Sequence, residues 1–427
     1  MCAKSRAREN LKGVHMLRGS ESKGPVTVYK PDKCFRGYSL FCVQFRPSAA
    51  RNGQQDRMLL IDMEGNPVHE WPIHTSAHLL ELAADGSLYH STGDKSNIAR
   101  AGLYKVAPDG SVLWKYPCRI DHDHHLMDSG HFMIHCLLDK VVPRLGHGLR
   151  CNPYIIEIAP DKELVWEWHG EEHVQELVDM CGLEVPIDWP QRVRYELAQQ
   201  ATWAERYPHL SAYELAFLTN AENTILGSKR LHELSDQELA DLTERTVEYR
   251  TFDWAHNNTC EVLPVNASGQ EDPRFRAGNI LFSYRQLDMI GVIDYPSGEI
   301  VWAWGPGEIE GQHMPTMLPN GHILIFDNGW YRGWSRLVEI DPLTEEIVWE
   351  FAGTPKENFV SPFISGAHLL PNGNIFICAG VRKHLFEVTR EGEIVWEYWD
   401  PHGGPGTSRI YRATRYSPEF VGPVLDG

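Results

Sequence analysis

The sequence predicts an all-β fold: a six-bladed β-propeller, closed by N- and C-terminal strands, with a helical insertion between two blades. Three observations carry this. First, one motif recurs six times along 427 residues: a turn, β-branched residues, then a Trp. The copies are GNPVHEW (Trp71), GSVLWKY (Trp114), KELVWEW (Trp166), GEIVWAW (Trp302), EEIVWEF (Trp349) and GEIVWEY (Trp396), separated by 43, 52, 136, 47 and 47 residues. Periods of about 40–50 residues with β signals belong to propeller blades. Second, both ends of the chain are incomplete. The N-terminal part offers three strands, GYSLFCVQF, RMLLIDM and PVHEW, and the C-terminal RIYRATRY offers a first strand with nothing after it. Third, the long gap holds one blade plus a stretch of different periodicity.

Each element follows from local chemistry. A blade opens with a strand, a Gly turn and a second strand, as in HLLELAADGSLYHS or HLLPNGNIFIC. Alternating apolar residues around such a turn make a hairpin. A third strand follows (GLYKVAP, GVIDYP, RLVEIDP, HLFEVTR), then the Trp-bearing strand. A single four-stranded unit cannot bury both faces, so the units must stack around an axis. The stretch 171–250 reads as helix: EEHVQELVDMCGL, QRVRYELAQQATWAERY, SAYELAFLTNAE and SDQELADLTERT place apolar residues at helical spacing. Ser235 and Glu238 form a capping box. The expected organisation is an arm over 1–25, propeller over 26–170, a helical cap or lid over 171–250, and propeller with ring closure over 251–427.

Composition limits the function classes. The net charge of −18 opposes binding to nucleic acid or to anionic membranes, so neither is an expected partner. The start shows no secretory signal pattern, and no apolar run is long enough to span a bilayer. Nine cysteines without metal-ligand spacing suggest reduced thiols and a cytoplasmic protein. Homo-oligomerisation through the helical insertion is left open.

The innermost strands should line the axis. Aligned on their turns, they place His78, His122, His313, Ser365 and Tyr411 at one position. The remaining blade, DWAHNNTCEVLP, slips in register but sets His256 and Asn258 two apart, on one side of its strand. Histidines His124, His125, His131, His135 and His368 fall off this position and read as structural. Imidazoles converging on an axis can bind a divalent metal such as iron, zinc or manganese. They can equally serve as nucleophile and general acids on an anionic group. The second chemistry needs a fixed cation, and Arg285 is on the second strand of the blade that carries His256.

DWAHNNT, GNILFSYRQLDMIGVIDYPSGEIVWAWG, GQHMPTMLPNGHILIFDNG and SRLVEID together resemble the bacterial arylsulfate sulfotransferase family, most clearly over 250–400 and also over 37–170. The resemblance implies a six-bladed propeller that moves a sulfuryl group between phenols without a nucleotide sulfate donor. It implies that His313 forms a sulfohistidine, that His256 and Asn258 bind sulfuryl oxygens, and that Arg285 neutralises developing charge. The family's further axial His, in a His-Asp pair, corresponds to His122 followed by Asp123. Departures from the family pattern are the helical insertion, Pro315 two residues after His313, and the absence of a signal and of an N-terminal β domain.

Three readings result. In the first, His313 attacks an aryl sulfate, with His256, His122 and Arg285 assisting. Asn258, Tyr411, His78 and Trp330 bind the small aromatic substrate, Trp330 with Tyr331 and Trp334 supplying stacking surface. No cofactor is then needed. In the second, His78, His122, His256 and His313 ligate a divalent metal in a lyase, hydrolase or oxygenase. In the third, the ring is a non-enzymatic binding module.

Overall fold

The computed structural model describes residues 24–45, 55–72, 77–92, 100–146, 148–187, 237, 252–330, 332–403 and 408–425. Six antiparallel sheets form a six-bladed propeller. Blade 1 is built from both ends of the chain: Ser408–Tyr416 is innermost, followed outward by Tyr38–Phe45, Arg57–Ile61 and Pro67–Trp71. Blades 2 to 5 begin with Ala77–Leu82, Ile120–Leu126, Asn257–Val262 and His313–Met317, and blade 6 begins with Gly366–Leu369. Blade 6 also carries a fifth strand, Val26–Tyr29, antiparallel to its fourth strand Ile394–Trp399. The ring is therefore latched twice by the N-terminal segment, once in blade 1 and once on blade 6.

The recurring Trp has a mechanical role. Trp114 Nε1 donates to Pro160 O (3.1 Å), Trp166 to Pro296 O (3.2 Å), Trp302 to Glu345 Oε1 (3.1 Å), Trp349 to Arg390 O (2.9 Å) and Trp396 to Met63 O (2.8 Å). In each case the acceptor lies in or beside the outer turn of the next blade. Every bond contributes about 0.5–1.5 kcal/mol, and the set fixes the spacing between blades. In blade 1 the residue at this position is His69, not Trp71: His69 Nε2 is 2.9 Å from Pro108 O. Trp71 lies two residues later, fully buried between blades 1 and 2.

Between blades the packing is apolar and continuous. Phe41, Leu59, Phe376, Trp396 and Tyr398 join blades 6 and 1, and Phe275, Trp302, Ile325 and Val338 join blades 4 and 5. A C-terminal helix, Pro418–Leu425, adds Val421 and Val424 to the core between blades 1 and 2.

After blade 3 the chain enters the expected insertion. Helix Val174–Cys181 buries Val174 and Leu177 against Trp168, Phe282 and Tyr284. Its Glu176 accepts from the Ile300 N–H (3.0 Å), so it docks on the outer strand of blade 4. The remaining expected helices, including the Ser235–Glu238 capping box, lie outside the described residues. Among the described residues all eight cysteines are free, and no helix is long and apolar enough to cross a membrane.

Candidate functional site

The inner strands are not regular. In blades 1 to 5 the pairing of the first with the second strand slips near its start, at Ile410–Ala413, Ala77–Leu80, Ile120–His124, Asn257–Cys260 and His313–Thr316. Such bulges re-aim side chains. At the same place His122, His256, Met314 and Ser365 have positive φ of 63°, 50°, 48° and 87°. Left-handed backbone at a non-glycine residue costs on the order of 1–3 kcal/mol and clusters at functional sites.

This geometry gathers most of the expected side chains at one mouth of the axis. The rings of His122 and His256 meet edge to face, centroids 4.5 Å apart. Tyr411 lies 5.9 Å from His122 and 5.6 Å from His78 by ring centroid. His313 is 2% exposed, and burial holds its pKa well below the usual imidazole value; the Arg285 charge pushes the same way, the Asn328 hydrogen bond opposes, and His122 and His256 add to the lowering. The Arg285 guanidinium stacks on the Trp330 ring at 4.4 Å, and its backbone N–H donates to the His256 carbonyl (3.2 Å). His122 and His256 remain 14% and 24% exposed, so the cluster opens to solvent on their side.

His256 and His313 are held by hydrogen bonds at Nδ1, and His122 Nδ1 lies at ion-pair distance from a carboxylate. His256 Nδ1 is 2.7 Å from Asp253 Oδ2, while Asp253 Oδ1 accepts the His256 backbone N–H (2.8 Å). His122 Nδ1 is 2.6 Å from Asp121 Oδ2. This corrects the expected pairing with Asp123. The left-handed His122 breaks strand alternation, so the preceding carboxylate reaches the ring. Asp123 instead accepts from Arg412 Nη1 (2.7 Å) and from the Cys260 N–H (2.9 Å). His313 Nδ1 is 2.8 Å from Asn328 Oδ1 and 3.0 Å from Gly311 O.

The motif residues between the histidines are scaffold. Trp254 is fully buried and donates to Asn152 Oδ1 (2.8 Å). Phe252–Asp253 pairs in parallel with Arg150–Cys151 of blade 3, which sets Asp253 beside the His256 ring. Asn257 Oδ1 accepts the Ser283 N–H (3.0 Å), and Gln312 donates to Ser283 Oγ (3.1 Å) and Met289 O (2.7 Å). Asn258 is 0% exposed, and its amide donates to the Gln312 carbonyl (2.8 Å), joining the inner strands of blades 4 and 5. Ser365 is likewise buried, its hydroxyl bonded to Ser361 Oγ (2.7 Å) and to the Gly380 N–H (3.0 Å).

One side of the mouth is apolar. Val360, Ile364, Val381 and Tyr411 pack with Trp330, Trp334 and Phe363. Asp327, fully buried, holds this loop through Arg332 (2.9 Å) and Arg336 (2.7 Å). Tyr331 lies outside the described residues.

Deeper along the axis comes a second layer, three residues beyond His78 on blade 2 and at matching positions on its neighbours. It includes Glu81, His125, Glu261, Thr316 and His368, all partly exposed. Although their surfaces line the axis, the protein that surrounds them on all sides desolvates Glu81 and Glu261, and with Asp123 adding to this the carboxyls are pushed up to about 8, against the Met317 N–H and Arg412 at Glu261. Among the described residues no three His, Cys, Asp or Glu side chains are arranged to hold a metal ion.

Residues 40–309 match a family model described as arylsulfotransferase (ASST), and residues 222–400 match a second model with the same description. The chain belongs to the arylsulfotransferase family. Membership supports a sulfotransferase-like enzyme. No curated protein matches the sequence of this arylsulfotransferase-family chain. Among solved structures, a protein of unknown function from Bacteroides caccae is similar at 13% identity and a TM-score of 0.48, with 89% of this chain and 99% of that one covered. A streptogramin B lyase is similar at 10% identity and a TM-score of 0.41, covering 84% and 87%. A virginiamycin B lyase from Staphylococcus aureus is similar at 11% identity and a TM-score of 0.38, covering 80% and 84%.

The residues missed in the sequence are Asn328, Asp121 and Arg412. Asn328 precedes a glycine, and an Asn-Gly pair reads as turn chemistry, which hides its side-chain use. Arg412 is near the C-terminus in a strand whose bulge could not be placed, so its facing was not legible.

Proposed function

We propose that this enzyme transfers a sulfuryl group from an aryl sulfate to a phenol through His313, without a nucleotide sulfate donor. The observation that carries the reading is the environment of His313. Its Nδ1 faces two oxygen acceptors, and burial beside Arg285 disfavours the imidazolium. The ring is therefore neutral, with its lone pair on Nε2.

In the first half-reaction Nε2 attacks sulfur. The N–S bond forms as the bond from sulfur to the aryl oxygen breaks. The departing phenolate takes a proton from a carboxylate-paired histidine, His256 or His122. Arg285 offers donors to the sulfuryl oxygens as charge shifts onto the leaving group. In the second half-reaction an acceptor phenol gives its proton to that same histidine and attacks the sulfohistidine. The N–S bond breaks and His313 is restored. Protons balance over the cycle, and ping-pong kinetics follow.

Trp330, Phe363 and Tyr411 provide the aromatic wall that a phenyl ring would pack against. His78 and Tyr411 bound the pocket on the side of blades 1 and 2. Asn258 supports the site by bracing Gln312, next to the nucleophile.

The test is single turnover with a chromogenic aryl sulfate. The expected result is a burst of phenol together with sulfuryl mass on His313, both absent in His313→Ala. Turnover retained by His313→Ala would refute the mechanism.

A further inference from the structure

Three histidines at the mouth all turn Nδ1 toward an oxygen, but not toward one kind of partner. His122 and His256 present Nδ1 to carboxylates, Asp121 and Asp253, at 2.6 and 2.7 Å. His313 presents Nδ1 to an amide oxygen, Asn328 Oδ1, at 2.8 Å. The difference is chemical. A carboxylate within hydrogen-bond reach stabilises the imidazolium, whereas a neutral amide oxygen does so far less.

The orientation of the Asn328 amide is not arbitrary. Its Nδ2 lies 2.6 Å from Ser361 O and 2.9 Å from Ile364 O. Both are carbonyl oxygens and can only accept, so the NH₂ group must face them. The amide oxygen is then turned toward His313, where it can only accept. Gly311 O, the other neighbour of Nδ1, is also an acceptor. Hence Nδ1 carries the proton. The loop that supplies these carbonyls is itself fixed: Ser335 Oγ donates to Asn328 O (2.8 Å) and accepts the Ser361 N–H (2.8 Å).

We propose that Asn328 is a positioning residue that locks His313 as the Nδ1–H tautomer, because its neutral amide oxygen fixes the proton on Nδ1 while favouring the imidazolium far less than a carboxylate would. The exchange of carboxylate for amide is what separates one nucleophile from two proton carriers in an otherwise similar trio. The inference rests on the sulfohistidine reading above, but its structural half can be tested apart from it. The groups that face His313 are Asn328, Arg285, His122 and His256. Of these, only the first can be changed without removing a charge or a proposed catalytic group.

The experiment pairs Asn328→Asp with the pH profile of kcat/KM for a chromogenic aryl sulfate. A carboxylate at this position favours the imidazolium, which cannot attack. The expected result is an acid limb moved upward by about one pH unit or more, a loss of at least tenfold below it, recovery in alkali, and little change in KM. An equal loss at every pH, or an unmoved limb, would mean that Asn328 only holds the loop, and would overturn the proposal. Nitrogen NMR of the full-length wild-type protein, labelled at histidine, provides a second readout that needs no variant. A neutral Nδ1–H tautomer for His313 is expected, and an Nε2–H tautomer overturns the proposal even if Asn328→Asp fails to fold. Absence of sulfuryl mass on His313 in a protein with the Nδ1–H tautomer would instead count against the sulfohistidine.

Discussion

Replacing Arg412 by methionine should loosen the whole ring. Arg412 is on the C-terminal inner strand of blade 1, and its guanidinium crosses the axis. Nη1 donates to Asp123 of blade 3 at 2.7 Å, and Nη2 donates to the Asn258 carbonyl of blade 4 at 2.6 Å. The ion-paired side chains are only 6% and 8% exposed. Arg412→Met leaves a buried carboxylate whose remaining described hydrogen bond is from the Cys260 N–H, and leaves the Asn258 carbonyl without that donor. Breaking one half of a buried pair costs about 3–5 kcal/mol. Unfolding entropy of about 2.1 cal/mol/K per residue gives roughly 0.9 kcal/mol/K over 427 residues, so a loss of 4 kcal/mol corresponds to a fall in Tm of about 4–5 °C.

Scanning calorimetry measures this directly. The double variant Asp123→Asn/Arg412→Met removes the stranded charge while the amide oxygen still accepts from Cys260. It should recover more than half of the loss, because most of the penalty belongs to the unpaired carboxylate and not to the absent contact. A single variant within about 1 °C of wild type would refute the account of a buried, charged tie across the axis. So would a double variant no better than the single.

Two further outcomes follow from the site. Trp330→Ala removes an aromatic face and the stack on Arg285, interactions worth about 1 kcal/mol each, so KM for an aryl sulfate should rise about fivefold or more in steady-state assays. Glu81 and Glu261 ionise only near pH 8 in the folded protein, against 4.5 ordinarily, so folding resists their ionisation. That resistance is absent below about pH 4.5, grows as pH rises, and is complete above about pH 8. Glu81→Gln/Glu261→Gln should therefore raise Tm at about pH 9 and leave it unchanged at about pH 4. A gain of equal size at both would show that the effect is not electrostatic.

The blade count was legible because each unit repeats its outer strand, and because neither end of the chain makes a complete blade. The repeat's function was less legible. Trp71 was matched to the other tryptophans, but counting from the turn puts His69 there, and the bond to Pro108 shows that imidazole can replace indole as donor. The fifth strand of blade 6, Val26–Tyr29, has four residues and no partner signal in the sequence, so it is not among the strands the sequence predicts. At the axis, sequence alignment found which strands carry histidines but not how they are held. A bulge shifts facing by one residue, and no residue type announces it. Asp121 and Asp123 flank His122 symmetrically in sequence, yet the positive φ at His122 gives one to the imidazole and the other to Arg412.

The asymmetry of the mouth explains how a symmetric fold supports one reaction. Blades 3 and 4 contribute the carboxylate–histidine pairs and Arg285. Blades 5, 6 and 1 contribute His313, its amide partner, and the cluster of Trp330, Phe363, Ile364, Val381 and Tyr411. A planar, apolar ring with an anionic sulfate has matching halves. Its ring would pack on the aromatic side while its sulfuryl oxygens face Arg285, which stands at the seam because it stacks on Trp330. Arg285 therefore couples two requirements: the same residue that would meet the anion also shapes the wall that would meet the ring. A substrate with only one of the two features would satisfy half of the site. Under the proposed reading, the enzyme should therefore prefer an aryl sulfate over an alkyl sulfate or a free phenol as first substrate, because of how blades 4 and 5 meet and not because of any one histidine.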